Sequence, residues 1–198
     1  MMVVRSTDTH LDGRTPAMDA VDTRSLTEWF EGAQPFERYL EGTLKNHELW
    51  LDLYARARLP AWVATLPRRP DLRFLVIAED WCGDAVNTVP LVARLAECLG
   101  VEVRVLARDQ NLELMDRYLT GGHSRSIPVV IVIDASGNEV GWWGPRPQEL
   151  QDWVLGEGQQ LDKDSRYREQ RRWYARDRGE TTLRELTRLW LAQPASAG

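Results

Sequence analysis

The sequence predicts an α/β fold, a central mixed sheet of about four strands flanked by helices, with extra helices at the N- and C-terminal ends. Three observations predict it. Short, nearly continuous apolar runs at 72–78, 101–107 and 129–133 read as buried strands. Segments of helical periodicity at 83–99 and 111–119 separate them. A turn signal, Ser136-Gly137-Asn138, joins the third strand to a fourth at 139–143, making a hairpin. A right-handed crossover makes the first two strands parallel, and the hairpin adds two antiparallel ones.

The elements follow in order. Residues 1–23 are polar and aperiodic, a flexible leader. A helical extension spans 24–70. Ser25-Leu26-Thr27-Glu28 fits a capping box, and Leu26, Trp29 and Phe30 give its helix an apolar face. Pro35 suits a second helix start, with Phe36, Leu40, Leu44, His47 and Leu51 at helical spacing and Leu53 to Ala57 extending it. Pro60 restarts the pattern with Trp62, Val63 and Leu66, and Pro67 and Pro70 end it. No strand is expected before residue 70. The sheet-bearing domain spans 71–157 and closes with a helix from Pro147 to Leu155. A C-terminal extension, 158–198, is helical and packs on the same domain. In it, Thr182-Leu183-Arg184-Glu185 reads as a second capping box, Leu183, Leu186 and Trp190 form a narrow apolar stripe, and 192–198 is a frayed tail.

Composition excludes several classes of function. The 198 residues suit one domain with appendages, and 43% hydrophobic content supports a core. Net charge is −5, which argues against a nucleic-acid partner. Arginine outnumbers lysine 23 to 2, which reads as coding bias, because 30 acidic residues balance the basic ones. The arginine-rich stretch from Arg166 to Arg178 is diluted by Glu169 and Asp177 and reads as a solvated helix face, with Tyr167, Trp173 and Tyr174 packing inward. No stretch approaches a membrane span, and no secretory signal is visible. Two cysteines provide no disulfide framework, so a reducing, cytoplasmic setting is expected. No ligand spacing among cysteines and histidines supports a metal, and no cofactor is expected. Nine tryptophans are many for this length. Those in the extensions read as anchors onto the sheet, and an exposed subset would suit a homodimer interface or a partner site.

The segment that carries chemistry is Glu79-Asp80-Trp81-Cys82-Gly83-Asp84-Ala85. It follows a buried strand and opens a helix. A cysteine there meets unpaired backbone N–H groups and the positive end of the helix dipole, which favour thiolate. Gly83 leaves the approach open. Pro90 lies within the following helix, and Ser126-Ile127-Pro128 immediately precedes the third strand. Asp84, whose negative charge lies near Cys82, should oppose part of the dipole's effect.

Trp81-Cys82-Gly83 after a strand, Pro90 at its spacing, Asp109-Gln110-Asn111 after the second strand and Ser126-Ile127-Pro128 together resemble the thioredoxin superfamily over 72–157. The likeness is greatest to a bacterial thioredoxin-like group with Glu-Asp-Trp-Cys-Gly-Asp at this site and added helices at both ends. The resemblance implies a thioredoxin-like fold, Cys82 as attacking thiol, a cis Pro128 beside it, Ile127 backbone pairing with a substrate segment, and Trp81 on the groove rim. The second cysteine of thioredoxins is Ala85 here, and their buried carboxylate is Val76.

Cys98 lies sixteen residues along the same helix, roughly 24 Å at ~1.5 Å per residue. A disulfide requires Cα atoms within about 7 Å. Cys98 therefore reads as a small buried apolar residue, and His47 as a packed, hydrogen-bonded one. In the Gly121-Gly122 loop, Arg125 could hold a carboxylate of a small thiol such as glutathione, and His123 could act as base, although solvated loop residues are the plainer reading. The expected function is a monothiol thiol–disulfide oxidoreductase. Its partners would be protein or low-molecular-weight thiols and disulfides, with Cys82 released by an external thiol, and no nucleic acid or membrane is involved. The alternative is a non-catalytic peptide- or partner-binding module, or a redox sensor.

Overall fold

The protein is described by a computed structural model covering residues 24–192. The leader expected at 1–23 and most of the expected tail, 193–198, lie outside the described residues.

Helix α1 (Leu26–Gly32) opens with the capping box read at Ser25. The Ser25 N–H donates to Glu28 Oε2 at 2.7 Å, and the Glu28 N–H donates to Ser25 Oγ at 3.2 Å. Strand β1 (Gln34–Pro35) follows and corrects the expectation of no strand before residue 70. It is two exposed residues long, too short for any alternation to show in the sequence. The long helix expected from Pro35 onward is two helices, α2 (Phe36–Gly42) and α3 (His47–Arg56). Between them Asn46 is left-handed (φ 55°), and Leu44 is 88% exposed. The turn after Pro60 is a short 3-10 helix, Ala61–Thr65.

Strand β2 (Arg73–Ala78), helix α4 (Gly83–Leu99) and strand β3 (Val103–Ala107) form the parallel crossover unit. The short helix α5 (Leu112–Met115), then strands β4 (Val129–Ile133) and β5 (Glu139–Trp143), complete the central part before α6 (Gln148–Leu155). The sheet has five strands in the order β1-β3-β2-β4-β5. β2 and β3 are parallel, and every other pairing is antiparallel.

β2 and β4 are buried on both faces, which explains their unbroken apolar sequence. Side chains alternate across the sheet. Phe74, Val76, Val130 and Val132 join a core with α2, α3, α4 and the last helix, whereas Leu75, Ile77, Val129 and Ile131 join a second core under α1 and α5.

The C-terminal extension forms α7 (Lys163–Asp177) and α8 (Glu180–Leu191). The second capping box does not form, because α8 begins at Glu180, ahead of Thr182. Thr182 is buried, and Glu185 instead accepts from Trp143 Nε1 at 2.7 Å and from the Gln148 N–H at 2.9 Å. The stripe of Leu183, Leu186 and Trp190 is buried. Indole N–H groups fasten the extensions: Trp50 donates to Asp80 O, Trp62 to Glu180, and Trp190 to Pro67 O. Among the described residues no helix is long and apolar enough to cross a membrane.

Candidate functional site

Cys82 is the N-cap residue of α4, held where β2 ends. Its thiol donates to the Ile127 carbonyl at an Sγ–O distance of 3.4 Å. The Ile127–Pro128 peptide is cis, as is Gly144–Pro145. Burial pushes the Cys82 thiol up to about 11, the Asp84 carboxylate adds to the rise, and the Ala85 and Asp84 N–H groups and the Arg146 guanidinium oppose it. Desolvation therefore outweighs the helix terminus, and the thiol is protonated at neutral pH. Under it, Ala85 and Val76 are fully buried, so neither a second sulfur nor a buried acid adjoins it at those positions.

The acidic residues of the motif work as clamps. The Asp80 carboxylate accepts the Leu44 and Lys45 N–H groups at 2.7 and 2.8 Å, which fixes the α2–α3 turn. Glu79 accepts the Asp109 N–H at 2.8 Å and so holds the start of the loop after β3. Asp84 reaches the C-terminal part of the chain. It accepts from Arg146 Nε at 3.1 Å and from the Tyr174 hydroxyl at 2.8 Å. Both members of the ion pair are largely buried, with 14% and 12% of their side chains exposed. Arg146 also donates to Gln151 Oε1 at 2.5 Å. Burial and the Asp84 charge push the Tyr174 hydroxyl well above the ordinary tyrosine range.

A cavity of about 480 Å³ opens on Cys82. Its walls include Trp81, Gly83, Asp84 and Ile127 from the sequence-predicted set. Trp81 is 48% exposed with Arg108 over its ring, 5.0 Å from the centroid. Pro128 is buried beside Ile127 and is not part of the wall. Arg125 is not brought to the cavity. Its guanidinium pairs with Asp116 at 2.6 and 2.8 Å, away from the cavity lining. His123 is exposed, and its Nδ1 lies 2.8 Å from Gly121 O in its own loop. His47 is half-buried against Thr43 Oγ1 at 2.8 Å. Cys98 is half-buried on a shallow hollow with Arg94 and Glu97.

Sequence reasoning missed Arg146, Gln170, Arg171 and Tyr174, all of which line the cavity. Only Tyr174 carried a signal, as an aromatic expected to face inward. Tyr167, expected to face inward with it, is 45% exposed at the cavity mouth. Among the described residues no cluster of three or more histidines, cysteines and carboxylates could hold a metal.

A thiol at the start of the helix after a central strand, facing the residue before the β4 proline, defines the class of fold. The profile of a family described as thioredoxin matches residues 33–170, and the chain belongs to that family. The match reaches beyond the central sheet into α2 and α3 at one end and α7 at the other. Comparison with functionally curated proteins finds no match. Among solved structures, the chain is similar to a protein of unknown function from Pseudomonas aeruginosa. That likeness has 21% identity and a TM-score of 0.57, covering 68% of this chain and 86% of that one. It is also similar to an HIV epitope-scaffold, with 22% identity and a TM-score of 0.57, covering 65% and 82%. At these identities the likeness is one of fold.

Proposed function

We propose that this protein is a monothiol thiol–disulfide exchange protein in which Cys82 is the reacting group. The observation that carries the reading is the seating of Cys82 Sγ, at the α4 N-terminus against Ile127 O, on the wall of an open cavity. After losing its proton to solvent, the Cys82 sulfur attacks one sulfur of a disulfide R–S–S–R′. A Cys82–S–S–R bond forms, the R–S–S–R′ bond breaks, and R′–S⁻ leaves and takes up a proton. An external thiolate R″–S⁻ then attacks the R sulfur, R–S–S–R″ departs, and Cys82 is regenerated. The sequence of steps exchanges partners with no net oxidation. No other cysteine serves it, since Cys98 is in the same helix and both cysteines are free.

One observation favours a second reading. Burial pushes the thiol up to about 11, so it is held as thiol at pH 7. That suits a non-catalytic module, or a sensor, using the same cavity to hold a ligand. Intact mass spectrometry separates the two. A Cys98→Ala protein incubated with hydroxyethyl disulfide at pH 9 should gain one thiol half at Cys82, removed by added thiol. Absence of that adduct in folded protein would leave the binding reading.

A further inference from the structure

We infer that the exchange partner is a small disulfide carrying an anionic group, which is held by Gln170 and Arg171 of α7. This inference names the substrate class for the proposed Cys82 reaction and rests on that reading.

Four observations carry it. First, several elements contribute to the site. Leu49 of α3 and Tyr167, Gln170 and Tyr174 of α7 line the cavity together with Cys82. A space of about 480 Å³ is of a size that holds a small molecule. Second, Gln170 is 7% exposed and lines this cavity, yet its side-chain amide has no hydrogen-bond partner among the described residues. The amide atoms are not among the protein's buried unpartnered polar atoms, so they face the cavity and are available to a polar ligand group. Third, the available charge is positive. Asp84 is matched by Arg146, and Arg108 by Asp109, whereas Arg171 has no carboxylate partner among the described residues. The chain as a whole carries −5, so this local sign runs against the average.

Fourth, the cavity shares Asn87, Arg171 and Tyr174 as walls with a second one of about 730 Å³. That second space has Leu59 and Leu91 among its apolar lining, and both signs of charge, with Arg58 and Arg178 beside Asp177 and Glu180. A disulfide with its sulfur at Cys82 and its carboxylate or phosphate at Arg171 uses the unpartnered amide and the unpaired guanidinium together. The charge-assisted hydrogen bonds that result orient the ligand.

The test measures the rate of Cys82 adduct formation in the Cys98→Ala protein at low salt. The probes are dithiodipropionate (carboxylate), pantethine bisphosphate (phosphate), hydroxyethyl disulfide (neutral) and cystamine (cationic). Each rate is divided by that of the same disulfide with a free small thiol. The anionic probes should exceed cystamine by about tenfold or more. The ratio between carboxylate and phosphate tells which anion the site takes. Arg171→Glu, on an exposed position, should abolish the preference, and Gln170→Leu should slow only the anionic probes. Equal normalised rates for all four probes overturn the inference and leave Cys82 exchange standing. If no probe reacts, calorimetric titration of the Cys82→Ser protein with dithiodipropionate decides the inference alone. Binding lost in Arg171→Glu supports it, and no binding overturns it.

Discussion

At Cys82 two opposed effects meet, and burial prevails. The backbone N–H groups of Ala85 and Asp84 and the Arg146 charge favour thiolate, while desolvation and the Asp84 charge favour thiol. The alkylation rate of Cys82, measured with Cys98→Ala as background, should rise about tenfold per pH unit up to roughly pH 10, with a plateau only near the thiol's value of about 11. The sign follows from the shift: raising a thiol's pKa removes thiolate at every pH below it. Asp84→Asn removes the second cause of the rise and frees the Arg146 charge, so it should speed alkylation at pH 8 several-fold. The same change leaves a largely buried guanidinium without its carboxylate, and denaturant unfolding should show a loss of about 3 kcal/mol.

The position of this cysteine was legible in the sequence because strand, cysteine and helix start are adjacent in the chain. Its surroundings were not. Arg146 lies 62 residues and Tyr174 90 residues from the Asp84 they bind. Local periodicity carries no trace of such partners, and the same holds for Gln170 and Arg171.

At the scale of elements, α4 and its preceding loop act as a hub. Glu79, Asp80 and Asp84 each hold a different segment through hydrogen bonds. Asp80→Ala removes the acceptor of two backbone N–H groups and should cost about 1–3 kcal/mol in chemical denaturation. The turn after β5 is equally constrained. Gly144 has φ of +141°, and a Cβ there would lie 2.1 Å from Pro128 O, a backbone atom. Gly144→Ala should therefore destabilise by about 2 kcal/mol or more and disturb Arg146, two residues on. The matching readout is a changed Cys82 alkylation rate in whatever fraction stays folded.

The elements that sequence reading recovered best are those with strong, local patterns. β4 and β5 match their expected limits, and α4 does as well. β1 was missed because two exposed residues carry no pattern, and its pairing is supplied by β3. The break between α2 and α3 was missed because its cause, the Asp80 carboxylate on the turn N–H groups, lies some 35 residues away.

At the scale of the whole molecule, the helical extensions complete the core. Trp50 and Trp190 are among its largest fully buried side chains, and they come from opposite ends of the chain. Trp190 packs edge-on to Phe74 of β2 at 5.9 Å. Replacing Trp190 by alanine should cost about 3–5 kcal/mol and lower the single thermal transition, read by circular dichroism. The terminal helices also contribute to the site, because Leu49 of α3 and Tyr167, Gln170, Arg171 and Tyr174 of α7 line the cavity at Cys82. The family's central architecture could thus be read from sequence, whereas the lining of the site depends on how distant helices pack.

The central claim is that Cys82 exchanges disulfides with the help of a thiol from outside the chain. It is tested most directly by following exchange between two small disulfides in the presence of a small thiol, with Cys98→Ala protein as catalyst and the Cys82→Ser, Cys98→Ala protein as control. The account predicts a protein-dependent rate that rises with the concentration of the external thiol and disappears in the control. Equal rates with the two proteins, both folded, would contradict it.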